Sequence, residues 1–111
     1  MIDSGIYWTN GHPMICSNGI HFSPLNINRV ASMSHIIFGV RLELDSGRIT
    51  LLRWSNGFSG SPRKDLFKTD SGFFKECEVM VFGPNGANKS FICDNVEDAI
   101  SIIENADSVE F

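Results

Sequence analysis

Paired cysteines are missing from this sequence. Its three cysteines, Cys16, Cys77 and Cys93, are odd in number and scattered, with no C-x-x-C pair. That argues against a disulfide framework and against the common zinc-finger patterns. Long apolar runs are missing too, and the longest falls far short of a membrane span. Basic residues are outnumbered, nine Lys and Arg against thirteen Asp and Glu, for a formal charge of −4. This balance disfavours general binding to nucleic acid or to anionic lipid. No G-x-S-x-G elbow occurs. The opening MIDSGIYW has neither a basic region nor an apolar segment, so no secretory signal is expected. Together with free thiols, these absences predict a cytoplasmic protein.

What is present suits a folded chain. With 111 residues, 42% hydrophobic and 20% charged, the sequence predicts one domain over residues 1–111 with a real core. The clearest pattern is residues 36–54. Ile36, Phe38, Val40, Leu42 and Leu44 alternate with polar positions from Arg41 onward, which predicts a half-buried strand. Asp45-Ser46-Gly47 turns the chain back into a second strand, Arg48 to Trp54. Two registers fit. A two-residue loop pairs Leu44 with Ile49, and a bulge at Gly47 slips the pairing by one residue.

Further strands follow from turn signals. Asn10-Gly11 between apolar segments predicts a hairpin, and Pro13 predicts that its strand is an edge. Ser17-Asn18-Gly19 is a second turn, followed by a short strand over 20–22. Residues 25–33 read either as a strand or as one helical turn. Residues 75–82 alternate again, 83–88 turn, and 89–93 return as a strand. Val96, Ala99, Ile100 and Ile103 make one apolar stripe at helical spacing, capped by Asp94 or Asn95, with Glu97 and Asp98 in the first turn. That helix is expected to run to about Ala106.

The expected fold is therefore α+β and mostly antiparallel β. About seven short strands form a sandwich or a partly open barrel, with one C-terminal helix packed on it. In element order alone this resembles the outline of a pleckstrin-homology-like barrel. No residue motif carries the resemblance, and no site is taken across from it.

Candidate chemistry is sparse. Gly83-Pro84-Asn85-Gly86-Ala87-Asn88-Lys89-Ser90 resembles the Walker A phosphate loop. However, Asn88 stands where that loop needs glycine, and the residues after Ser90 read as a strand rather than a helix. The expectation is a hairpin turn. His12, Cys16 and His21 are metal-ligating types, but their spacing matches no common site. His35 as a base and Cys77 or Cys93 as a nucleophile lack a third group to orient them. No catalytic residue, metal or cofactor is assigned.

Charge distribution and aromatics say more. Five of the nine basic residues, Arg53, Arg63, Lys64, Lys68 and Lys75, lie in or beside residues 55–74, which hold three Gly, four Ser and one Pro. Residues 94–111 hold six acids and no Lys or Arg. Aromatic residues mixed with Arg are common in binding hot spots. The candidate contact residues are Trp54, Phe58, Arg63, Lys64, Phe67 and Lys68 on the loop, with Asp98, Glu104 and Asp107 on the helix side. The expected function is a non-catalytic protein-binding module. A small intracellular inhibitor fits best, such as a toxin-neutralising immunity protein or a mobile-element inhibitor facing a basic toxin or nuclease. Two alternatives stand beside it. One is an adaptor or oligomerising β domain using residues 54–74, and the other is a small enzyme or metal protein using His12, Cys16, His21, His35 or Cys93.

Overall fold

A computed structural model describes residues 4–9, 12–54 and 73–111. Among them, nine strands form two antiparallel sheets and one α-helix follows. The strands are β1 (Gly5–Thr9), β2 (His12–Ser17), β3 (Ile20–Phe22), β4 (Val30–Ile36), β5 (Gly39–Leu44), β6 (Ile49–Arg53), β7 (Phe73–Phe74), β8 (Cys77–Phe82) and β9 (Asn88–Cys93), and the helix is α1 (Val96–Glu104). The first sheet runs β3-β2-β1-β7 and the second β4-β5-β6-β8-β9. The mostly antiparallel α+β expectation holds, with more strands than the seven counted.

The two further strands are β4 and β7. Pro24–Asn26 form a short 3₁₀ turn and β4 follows, so both readings of residues 25–33 are partly realised. The single strand expected over 36–44 is in fact two. Ile36 pairs with Gly39 across a two-residue reversal. Phe38 adopts φ 66°, a left-handed conformation uncommon for a bulky side chain. Glycine would be the usual occupant, but the neighbouring Gly39 is committed elsewhere. A Cβ on Gly39 would lie 2.1 Å from the Leu52 carbonyl oxygen.

The turn after β5 takes the bulged register. Glu43 pairs with Ile49, the Leu44 N–H donates to the Arg48 carbonyl at 2.9 Å, and Gly47 has φ 92°. A three-residue loop closed by glycine in the left-handed region is a common hairpin solution. It places Val40, Leu42, Thr50 and Leu52 inward together, with Ile49 and Leu51 half-buried. The β2–β3 turn is the Asn-Gly type, with Asn18 at φ 52° and Gly19 at φ 81°. Asn10 and Gly11 lie outside the described residues, but β1 and β2 pair from Gly5↔Cys16 to Thr9↔His12 as that hairpin requires.

Pro13 corrects one expectation. Its strand, β2, is interior, flanked by β1 and β3. Yet β3 pairs only with Ile15, Cys16 and Ser17, so Pro13 sits past the end of β3, where no donor is needed.

One core joins both sheets and the helix. Ile6, Trp8 and Ile15 come from the first sheet, Val40, Leu42, Leu52, Trp54, Val79 and Val81 from the second sheet and its flank, and Val96, Ala99 and Ile103 from α1. The helix packs on β8, β9 and β2 and so touches both sheets. Asn95 caps it, accepting from the Asp98 N–H at 2.9 Å, while its own amide donates to the Asp98 carboxylate at 3.2 Å. The helix ends at Glu104, two residues short of expectation, and a 3₁₀ turn over Ala106–Ser108 continues the burial through Ala106. No helix of the described residues is long and apolar enough to cross a membrane.

Candidate functional site

The second sheet ends on β9, and among the described residues no strand pairs with its outer edge. Such an edge presents backbone donors and acceptors to any extended chain. Helix α1 lies directly against this strand, because only the Asp94-Asn95 step separates the two. Between them runs an open groove of about 510 Å³. Phe91, Ile92 and Cys93 form one wall, and Asp98, Ser101 and Ile102 the other. Ile92 is 57% exposed, an apolar residue at the lip of the groove.

Sequence reasoning missed Ile92 and Ile102. The signals were present. Ile92 alternates out of phase with the inward Cys93, and Ile102 flanks the Val96–Ile103 stripe instead of falling on it.

Asp98 lines the groove and is exposed. Asp94, next to Cys93, is also exposed, and Glu97 is half-buried. Glu97 is anchored: hydrogen bonds from Ser4 and Ser17 hold its carboxyl below the usual range despite the opposing effect of burial. The Ser17 hydroxyl donates to Glu97 Oε1 at 3.3 Å. Asp98 keeps one face to solvent while completing the helix cap.

The other expected contact residues fall elsewhere. Trp54 is 1% exposed and packs in the core, with its ring 5.9 Å from that of Trp8. It therefore offers no contact surface. Phe58, Arg63, Lys64, Phe67 and Lys68 lie outside the described residues. Glu104 is half-buried, and its carbonyl accepts from Arg29 Nη1 at 3.0 Å. Asp107 is engaged by Arg29, by Arg48 at 3.7 Å and by the Ser46 hydroxyl at 2.8 Å. The Arg29 hydrogen bond holds its carboxyl below the usual range, with Ser46 adding to the effect. Asp107 is thus a structural tie between the C-terminal segment and the β5–β6 turn.

Gly83 to Ser90 form the β8–β9 link and the start of β9, with the Gly83 N–H donating to the Ala87 carbonyl at 2.8 Å. A strand follows where a phosphate loop opens a helix. The histidines and cysteines divide into three groups. His12 lies beside His35, ring centroids 6.3 Å apart, and Trp8 stacks on His35 at 6.0 Å. Cys77 and Cys93 face each other across β8 and β9. Cys16 and His21 meet across β2 and β3. Among the described residues, no group of three or more His, Cys, Asp or Glu is placed to hold a metal ion.

No protein-family model, no characterised protein and no solved structure matches this chain.

Proposed function

We propose that this chain is a non-catalytic protein-binding module that takes an extended, basic segment of a partner protein into the groove between β9 and α1. The observation that carries this reading is the open edge of β9 beside a groove of mixed polarity that Asp98 lines. An added strand gains main-chain hydrogen bonds from the edge, while side-chain pockets supply specificity. Ile92 and Ile102 offer apolar contact, and Asp94 and Asp98 favour Lys or Arg on the incoming segment. The net charge of −4 would speed the approach of a basic partner. Within this reading the chain acts in the cytoplasm as an inhibitor of the immunity-protein or mobile-element type, and its partner is a basic toxin or nuclease.

The test compares the parent chain with an Ile92→Lys, Asp98→Asn double variant in pull-downs from source lysate. Both positions are exposed, and the Asn95 cap on the Asp98 N–H is a backbone contact that survives the change. The parent is expected to capture a basic protein that the variant does not, with an association rate that falls as salt rises. Equal capture by parent and variant, or a salt-independent rate, refutes the proposal.

A further inference from the structure

Three side chains on the first sheet form a chain of contacts that the proposed groove does not use. Cys16 on β2 and His21 on β3 are directly paired across the strands, and Tyr7 lies on the neighbouring β1. Alternation explains why they meet. Ile6 and Ile15 pair and point into the core, so Gly5, Tyr7, Met14, Cys16 and His21 share the opposite face. His21 Nε2 lies 3.7 Å from Cys16 Sγ, and His21 Nδ1 lies 2.6 Å from the Tyr7 hydroxyl. The Tyr7 and His21 rings meet edge to face at 5.6 Å. Phe73 stacks on Tyr7 at 6.3 Å, and its ring fills the space beside Gly5, where a Cβ would approach within 2.7 Å. Gly5 is the residue opposite Cys16, so the Phe73 ring stands beside the backbone that pairs with Cys16, and the exposed His21 imidazole lies at the side of the thiol.

A thiol nucleophile needs a base within reach and a third group to orient that base. All three are present. With Nδ1–H donated to the Tyr7 oxygen, Nε2 can take the thiol proton as Sγ attacks. An isolated thiol is only a few per cent thiolate at neutral pH, and the thiolate is the attacking species. Cys77 and Cys93 pack in the shared core instead; burial pushes the Cys77 thiol up to about 12 and raises Cys93 as well.

From this geometry we infer that Cys16 is a reactive thiol, a modification site for low-molecular-weight disulfides, with His21 as its base and Tyr7 as the residue that positions His21. The step is thiol–disulfide exchange. His21 Nε2 takes the Cys16 proton, Sγ attacks one sulfur of R–S–S–R, the Sγ–S bond forms and the S–S bond breaks. The departing RS⁻ receives the proton from His21, so Cys–SH and RSSR become Cys–S–S–R and RSH. At 5% exposure Cys16 selects small reagents.

The experiment treats the folded chain at neutral pH with bis(2-hydroxyethyl) disulfide and follows adduct formation at each cysteine by peptide mass spectrometry. Cys16 is expected to react at least about tenfold faster than Cys77 and Cys93. His21→Ala is expected to slow Cys16 by about tenfold or more, whereas parent and variant react equally in denaturant. Because His21 is exposed, the variant keeps the fold, which matching thermal melts verify. Tyr7→Phe keeps the ring stack and removes the hydroxyl, and it is expected to shift the pH dependence of the Cys16 rate. A Cys16 no faster than Cys77, or an His21→Ala rate equal to the parent's, overturns the site. An unshifted pH profile in Tyr7→Phe overturns the positioning role.

Discussion

Thr50 carries an unusual burden for a single residue. It is fully buried between Leu42 and Val81, and its hydroxyl has no hydrogen-bond partner among the described residues. An unpaired buried hydroxyl costs roughly 1–3 kcal/mol. Thr50→Val keeps the branched shape and removes the orphaned oxygen, so it is expected to stabilise the chain by about 1 kcal/mol, read from urea melts. Cys77 offers a second test at this scale. Burial, then the neighbouring Cys93, raises its thiol to about 12, above the ordinary value near 8.5. The folded state therefore holds the proton more tightly than the unfolded state. The stability this contributes is complete below about pH 8.5 and declines as pH rises toward 12. Cys77→Ala is expected to flatten that alkaline decline, measured as melting temperature against pH, although the cavity lowers its stability at neutral pH.

Glu78 illustrates why residue-level reading stopped where it did. A charged side chain usually faces solvent, yet Glu78 is 6% exposed. Arg53 is its direct partner across β6 and β8, at 3.3 Å, so the buried carboxyl has an ionic partner. Alternation shows that Glu78 faces away from Cys77 and Val79, but it does not show that Arg53 of the neighbouring strand pairs with it there.

Among the elements, α1 was the most legible. Its stripe, its acidic first turn and its Asn95 cap are all local features, and all three appear in the structure. Asn95→Ala removes the side-chain acceptor for the Asp98 N–H and is expected to cost about 1 kcal/mol of stability in a denaturant titration. Strands were less legible. The hairpin register depended on whether Gly47 bulged, and the reversal at Ile37-Phe38 carried none of the usual turn residues. Gly39 settles that second point. Its α-hydrogen is all that fits against the Leu52 carbonyl, so the glycine serves strand packing while Phe38 takes the left-handed turn position. Gly39→Ala is expected to destabilise the chain by more than about 2 kcal/mol, because backbone on β6 must move. A melting curve matching the parent's would show that β5 and β6 are not as close as described.

At the scale of the whole molecule, the C-terminal segment is held by arginines from distant strands and turns. Arg29 reaches Asp45, Asp107 and the Glu104 carbonyl, and Arg48 donates to the Ala106 and Val109 carbonyls while lying 5.3 Å over the Phe111 ring. Asp107, held below its ordinary value near 4 by Arg29, has a folded pKa lower than its unfolded one. Its contribution is present above about pH 4 and is lost as pH falls through the folded value. Asp107→Asn should therefore lose less stability between pH 5 and pH 2 than the parent does. A steeper acid decline in the variant would contradict this account. Glu97, lowered by its serine partners, adds to the same acid decline and ties α1 to the first sheet.

The sequence by itself determined the local features. These are the antiparallel class, the Asn18-Gly19 turn, the capped helix and the inward alternation of β5 and β8. Each depends on residues a few positions apart, where side-chain period, φ preference and capping act directly. Only the tertiary structure decided which edges stay open and which distant side chains meet. Trp54 was drawn into the core, Asp107 was paired with arginines from elsewhere in the chain, β9 was left at the end of its sheet, and His21 was set between Cys16 and Tyr7. Those outcomes depend on strand order and sheet packing, which are set by the summed burial of one shared core and are not encoded in any short stretch of residues.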